Sequence, residues 1–295
     1  MRAVANFIMR GRTQALLVVV GAMVLPLLFW LGAAGAALIA LRRGWADALS
    51  VAGWALIPGV MWWYLGDPWI ASVLLATLGL AAVLRQTNQW LSVMLASVVV
   101  GVCFAVIAQT VLGSSINELL RGADSPLPAM LEQAFSTLES AEREQIEAML
   151  QPIFIGVLAA FLQTVVLGSL MLARYWQAAL YNPEGFGREF RTFRLPLSIM
   201  AALLAGVLFA PYLGASFAAL VPICSVPLAF AGLALMHGLA KQGRVKHFWL
   251  VGVYVLLILL PQVMYPSLMV LAVVDSVFDL RGRLSRSQQP TDGEG

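Results

Sequence analysis

Long apolar runs separated by short polar clusters occupy most of this chain. A hydrocarbon core about 30 Å thick takes about 20 apolar residues as helix, and lipid does not tolerate unpaired backbone amides. The pattern therefore predicts spanning helices near 46–65, 69–84, 90–113, 152–174, 196–213 and 216–237. The terminal runs, Thr13 to Leu41 and Phe248 to Leu280, are too long for one untilted helix and too short for two full spans. Pro26 interrupts the first; Pro261 and Pro266, with Gln262 between them, interrupt the last. Proline lacks a backbone donor and clashes with the preceding turn, so each run has a natural kink or hairpin tip.

Charge separates kink from hairpin. Arg2, Arg10 and Arg12 precede the first run and Arg42-Arg43 follow it; Lys241, Arg244 and Lys246 precede the last run and Arg281, Arg283 and Arg286 follow it. Lys and Arg in short loops accumulate on the cytoplasmic side. A single spanning helix would put one basic cluster of each pair outside. Two short helices in each run place every basic loop inside, including Arg85 and the segment Arg174 to Arg194, and leave the acidic segment Asn117 to Glu147 and the Gly66-Asp67-Pro68 turn outside. The expectation is an all-α polytopic transmembrane helical bundle of about 8–10 helical elements with proline-broken terminal segments. It forms one integral membrane domain over 1–286, with a disordered tail at 287–295. Both termini are expected to be cytoplasmic in a bacterial inner membrane.

Composition supports the bilayer as the main solvent. With 61% hydrophobic and 11% charged residues, and a mean hydropathy of +0.86, the chain has too little polar surface to coat a water-soluble globule. The net charge of +3 sits in short loops, where it is a topology signal before it is a binding signal. Cys103 and Cys224 lie inside apolar runs and imply neither a disulfide framework nor a metal site. His237 and His247 have no further ligand at metal spacing. No phosphate-cradling loop, HExxH pair or nucleophile elbow is present. We therefore expect no enzyme, no catalytic residue and no cofactor. The basic residues are dispersed in loops, so no nucleic-acid partner is expected either.

The external segment 117–151 carries Leu127, Leu131, Phe135, Leu138, Ile146 and Leu150 at spacings near three and four, with five glutamates between them. That spacing predicts an amphipathic helix or helix pair, and Ser136 with Glu139 has capping-box spacing. It reads either as an ordered lid on the bundle's outer end or as a gate over an outward-facing pocket.

Three groups of residues offer candidate chemistry. In the loop around Asn182-Pro183-Glu184-Gly185, strong turn chemistry is flanked by Arg174, Arg188, Glu189, Arg191 and Arg194 and by aromatics. Such a loop is either a positive-inside loop anchored by interfacial aromatics or a site for an anionic ligand or a partner membrane or cytoplasmic protein. Asp275, Asp279 and Arg283 stand at one-turn spacings, which describes a helix-end ion pair or, less simply, a proton-coupling group. Gln109, Gln163, Gln262 and Tyr265 are the polar residues that stand out within the spans. These should face the bundle interior, as interhelical glue or as ligand-binding groups for a small-molecule solute. The small-residue run Gly32 to Ala37 suits close helix packing, within the chain or against a partner.

A glutamate-rich helix ending in Gln151-Pro152, a span closing in Leu172-Ala173-Arg174-Tyr175-Trp176-Gln177, and the loop Asn182-Pro183-Glu184-Gly185-Phe186-Gly187-Arg188-Glu189-Phe190 together resemble the YybS-like family of bacterial polytopic membrane proteins. The ending Asp275-Ser276-Val277-Phe278-Asp279-Leu280-Arg281 is similar to that family's C-terminus. Through the family's loose likeness to the substrate-binding membrane subunits of vitamin importers, the resemblance implies a solute-binding fold. Two functions follow from the sequence. One is a small-solute-binding or transport component using the glutamines and the tip near Pro261. The other is a non-enzymatic assembly or scaffold protein using the Arg/aromatic loop.

Overall fold

The computed structural model describes residues 2–121, 126–244 and 246–286. The tail at 287–295 lies outside the described residues, as do four positions of the external segment, 122–125. Among the described residues the chain is all-α with no strand. Five helical stretches are long and apolar enough to cross a membrane: Trp69–Thr87, Trp90–Arg121, Ser140–Tyr181, Ala215–Lys241 and Pro261–Phe278. Large apolar side chains such as Val99, Phe161, Val251 and Ile258 stand exposed on helix faces, as lipid requires. The chain is a helical integral membrane protein. The described residues group into two compact units, those of 2–186 with 208–223 and those of 187–207 with 224–286.

The first unit begins with α1 (Arg2–Arg10), α2 (Arg12–Val24) and α3 (Phe29–Arg42). The first apolar run is thus two helices, broken across Leu25 to Leu28 around Pro26. Gly32 faces Val19 and Met23, while Gly35 faces Val19 and Ile8, which is the contact order of an antiparallel hairpin. Every residue from Gly32 to Ala40 is buried. A helix buried all round needs small side chains to let its neighbours approach, so the Gly/Ala run is occupied within the chain.

Helices α4 (Trp45–Tyr64) and α5 (Trp69–Thr87) follow as a second hairpin, closed by the Gly66 turn, with the Asp67 carboxylate accepting from the Trp69 backbone N–H at 3.0 Å. Next come α6 (Trp90–Arg121), the short α7 (Leu127–Ala134) and α8 (Ser140–Tyr181). Helices α6 and α8 are antiparallel, because Gln163 meets Ser97 while Gln151 reaches the Gly113 carbonyl. At 1.5 Å per residue the 42 residues of α8 span about 63 Å, roughly twice a hydrocarbon core.

The external segment is helical, as its spacing predicts: it takes the ends of α6 and α8 beyond their apolar stretches, with α7 between them. Ser136 is not a helix cap: its hydroxyl donates back to the Gln133 carbonyl, and Glu139 precedes α8.

The second unit takes most of α9 (Gly185–Thr192), α10 (Leu197–Phe209) and α11 (Leu220–Lys241), then α12 (His247–Leu259), α13 (Pro261–Phe278) and α14 (Leu280–Arg286). The last apolar run breaks at Leu260, immediately before Pro261. Ser225 meets Tyr265 and Gly232 meets the Leu268 backbone, so α11 and α13 run in the same direction. Between them α12 returns the chain, with Tyr254 against His237 at 2.8 Å. At Gly232 a Cβ would overlap the Leu268 carbonyl, so only glycine allows this approach.

Candidate functional site

The basic end of the second unit begins as a helix-termination problem. Helix α9 ends at Thr192, and its last carbonyls have no partner inside the helix. Arg281 supplies the donors, its Nη1 to the Arg191 carbonyl at 2.6 Å and its Nη2 to the Phe193 carbonyl at 2.9 Å. What brings Arg281 there is the end of α13, where Asp279 adopts a left-handed backbone with φ 50° and turns the chain. After that turn Arg281 faces Asp275, with Nη2 at 2.6 Å and Nε at 3.2 Å from the same carboxylate oxygen. The Asp275 side chain is 3% exposed, so this pair is buried.

Arg194 fixes the other side. It donates to Asp279 Oδ1 at 2.7 Å and to the Ser276 carbonyl at 3.0 Å, while the Ser276 hydroxyl donates to the Leu195 carbonyl at 3.1 Å. The ion pairs differ from the one-turn pairing that the sequence suggests. Arg283 is exposed, and only its backbone N–H meets the Asp279 carbonyl. The physical cause is the turn at the left-handed Asp279 between α13 and α14, where its carboxylate accepts from Arg194 and from the Gly282 N–H instead.

Around these pairs lies an open cavity of about 440 Å³, lined among others by Arg191, Arg194, Lys241, Gln242, Asp279 and Arg281. Four cations thus meet the two carboxylates of Asp275 and Asp279, leaving two positive charges in excess. The excess resides on identifiable groups. Arg194 and Arg281 are paired, whereas among the described residues no side-chain partner holds Arg191 or Lys241. The Gln242 Oε1 atom is buried without a hydrogen-bond partner, as is Asp275 Oδ1.

Other members of the 174–194 loop are placed differently. Arg174 lies on α8 in the first unit, donating to Gln177 at 2.6 Å. Asn182 is exposed at the end of α8, where its carbonyl accepts from the Gly185 N–H across a turn. The positive φ of that turn, 70°, falls on Glu184 and not on the glycine after it. Phe186 packs edge-on to Trp90 and Tyr175. Arg188 is exposed on α9, and the Arg188 and Glu189 carbonyls accept from the Thr192 hydroxyl. The structure brings Arg191 and Arg194 together and leaves Arg174, Asn182 and Arg188 outside the cavity.

The polar residues within the spans divide between the two units, Gln109 and Gln163 in the first and Gln262 and Tyr265 in the second. Gln109 and Gln262 are exposed on the chain's surface rather than turned inward. Gln163 is fully buried, with Nε2 3.0 Å from the Ser97 hydroxyl, and it fills the space at Gly101, leaving Oε1 without a partner. Tyr265 is bound to Ser225 at 2.8 Å. At the far end of the first unit a wider opening of about 580 Å³ is lined by Asn117, Glu118, Arg121 and Gln151, with its two charges opposite in sign. Nearby Arg143 is held above its ordinary pKa by the hydrogen bond it donates to the Glu147 carboxylate at 2.7 Å.

Sequence reading missed Arg281, Lys241 and Gln242 as site residues. Arg281 stands six residues after Asp275, a spacing that helical periodicity does not pair, and only a break in the helix makes the contact. Compared with protein-family models, curated proteins and solved structures, the chain matches none.

Proposed function

We propose that this integral membrane protein is a non-catalytic assembly component, which takes an anionic group of its partner at the basic end of its second unit. The observation that carries this reading is the pair of uncommitted cations, Arg191 and Lys241, in one open cavity whose other charges are already paired. An unpaired cation beside a second one is unfavourable on its own, and an anion held between them relieves the repulsion. The reading extends the positive-inside expectation: both termini and the basic loops face the cytoplasm of a bacterial inner membrane. Reporter fusions after Arg43, Gly187 and Gly243 should then score inside and one after Glu139 outside.

Transport is the weaker reading. It rests on the unpartnered Gln163 Oε1. That atom lies against Gly101, where little room is left for a solute. A photo-crosslinking side chain in place of Thr192, on the cavity wall, tests the assembly reading against a control at Ile258, which is 80% exposed on α12. The Thr192 probe should trap a discrete species that the control does not, and the Arg191→Gln/Lys241→Gln variant should lose it. Identical products at both positions would remove the basis for a partner site.

A further inference from the structure

We propose that the basic cavity of the second unit is a phosphate-binding site, in which Arg191 and Lys241 contact the phosphate oxygens. This rests on the anion reading above and names the anion. Charge is the first reason. Two positive charges in excess at one point are matched by a phosphate monoester, which carries about −1.5 to −2 near neutral pH, whereas a single carboxylate matches only one. Donor geometry is the second reason. A guanidinium presents a planar fork that suits two phosphate oxygens at once, and an ammonium adds a compact point charge beside it.

Among the described lining residues the one carboxylate, Asp279, is already occupied by Arg194, which limits repulsion of an incoming anion. A volume of about 440 Å³ falls within the usual range of small-molecule sites and accommodates more than the phosphate alone.

The site lies where α11 ends at Lys241 and the chain passes from α13 into α14, at the ends of two helical stretches long and apolar enough to cross a membrane. The phosphate can therefore belong to a lipid headgroup or to a free phosphorylated solute. A monoester headgroup fits two excess charges better than a diester, which carries one negative charge.

The experiment uses the full chain in neutral detergent and follows its melting temperature. The probes are inorganic phosphate, sodium chloride at matched ionic strength, and mixed micelles containing phosphatidic acid, phosphatidylglycerol or phosphatidylcholine. Stabilisation should grow with probe concentration by mass action. It should appear with phosphatidic acid above phosphatidylglycerol and be absent with phosphatidylcholine and chloride. A matching response to inorganic phosphate identifies a free phosphate site; a response to phosphatidic acid alone identifies the headgroup.

Arg191→Gln/Lys241→Gln should weaken binding about tenfold or more, while Arg188→Gln, outside the cavity, should bind as the wild type does. Three results overturn the assignment: no response to any phosphate probe, an equal response to chloride, or a double variant that responds like the wild type. A Glu-rich peptide separates the two levels of the proposal. If it binds with the same sensitivity to the double variant while the phosphate probes do not, the phosphate assignment fails and the anion reading stands. If neither binds, both fail.

Discussion

Each compact unit gathers basic residues at one end, and the two units use them differently. In the first, Arg43 donates to the Met9 carbonyl at 2.5 Å, Arg85 donates to the Ala40 carbonyl at 2.6 Å, Arg12 is hydrogen-bonded to Ser50, and Arg42 lies 4.0 Å over the Tyr181 ring. These cations cover carbonyls and ring faces where helices stop, the positions at which a positive charge also complements the helix dipole. In the second unit Arg281 and Arg194 do similar work against carbonyls and two carboxylates, but Arg191 and Lys241 are left over. A basic cluster is therefore two things that a sequence writes identically. One is a set of structural caps, the other a set of free charges, and only the latter is available to a ligand.

The largest break in this contrast should come from Arg281→Gln. It removes the donors for two carbonyls and leaves Asp275 buried without its cation. Breaking a buried pair by removing one partner costs about 3–5 kcal/mol, so the variant should melt far below the wild type in detergent. Asp275→Asn added to it should recover part of the loss, since the uncompensated charge then disappears. A variant that melts like the wild type would mean that the pinning of α9 to the chain beyond α13 does not hold the second unit together.

Arg85→Gln, in the first unit, should have the next largest effect. Its bond to the Ala40 carbonyl is charge-assisted and half-buried, and such bonds contribute about 1.5–3 kcal/mol. Thermal unfolding should register that loss, whereas the binding of an anion at the second unit's cavity should not change. Arg194→Gln should cost about as much: its pair with Asp279, roughly a third exposed on each side, contributes about 1 kcal/mol or below, but the variant also loses the charge-assisted bond to the Ser276 carbonyl. A larger drop for Arg194→Gln than for Arg281→Gln would reverse the assignment of which arginine is structural.

Much of the fold was legible because lipid imposes one rule on every span. Run length located α5, α6 and α8, and the prolines marked the breaks near Leu25 and at Leu260. Less legible was anything depending on where a helix stops relative to its apolar stretch. Helix α8 runs unbroken through Pro152, where the sequence placed the boundary between the external segment and a span. The candidate site was half legible. Arg191 and Arg194 stood out by clustering with aromatics, but Arg281 and Lys241 come from separate segments and meet them only after α13 ends in a left-handed residue. Polarity alone misplaced the glutamines: an amide in an apolar run faces inward when a partner awaits it, as Ser97 does for Gln163, and outward at positions such as Gln109.

The smallest stability effect is the most informative one. Arg191→Gln and Lys241→Gln together should change the melting stability by no more than about 0.5 kcal/mol, as surface substitutions without a partner usually do. Neither side chain holds a carbonyl or carboxylate among the described residues, so no acceptor is orphaned when they go. If anything the double variant should be slightly more stable at low ionic strength, because two like charges in one cavity repel and salt screens that repulsion. Melting both proteins at low and high salt separates the cases. A free pair predicts a wild type that gains more from salt than the variant does. A structural pair predicts a variant that melts lower at every salt concentration, and in that event the second unit's basic end would be a set of caps like the first.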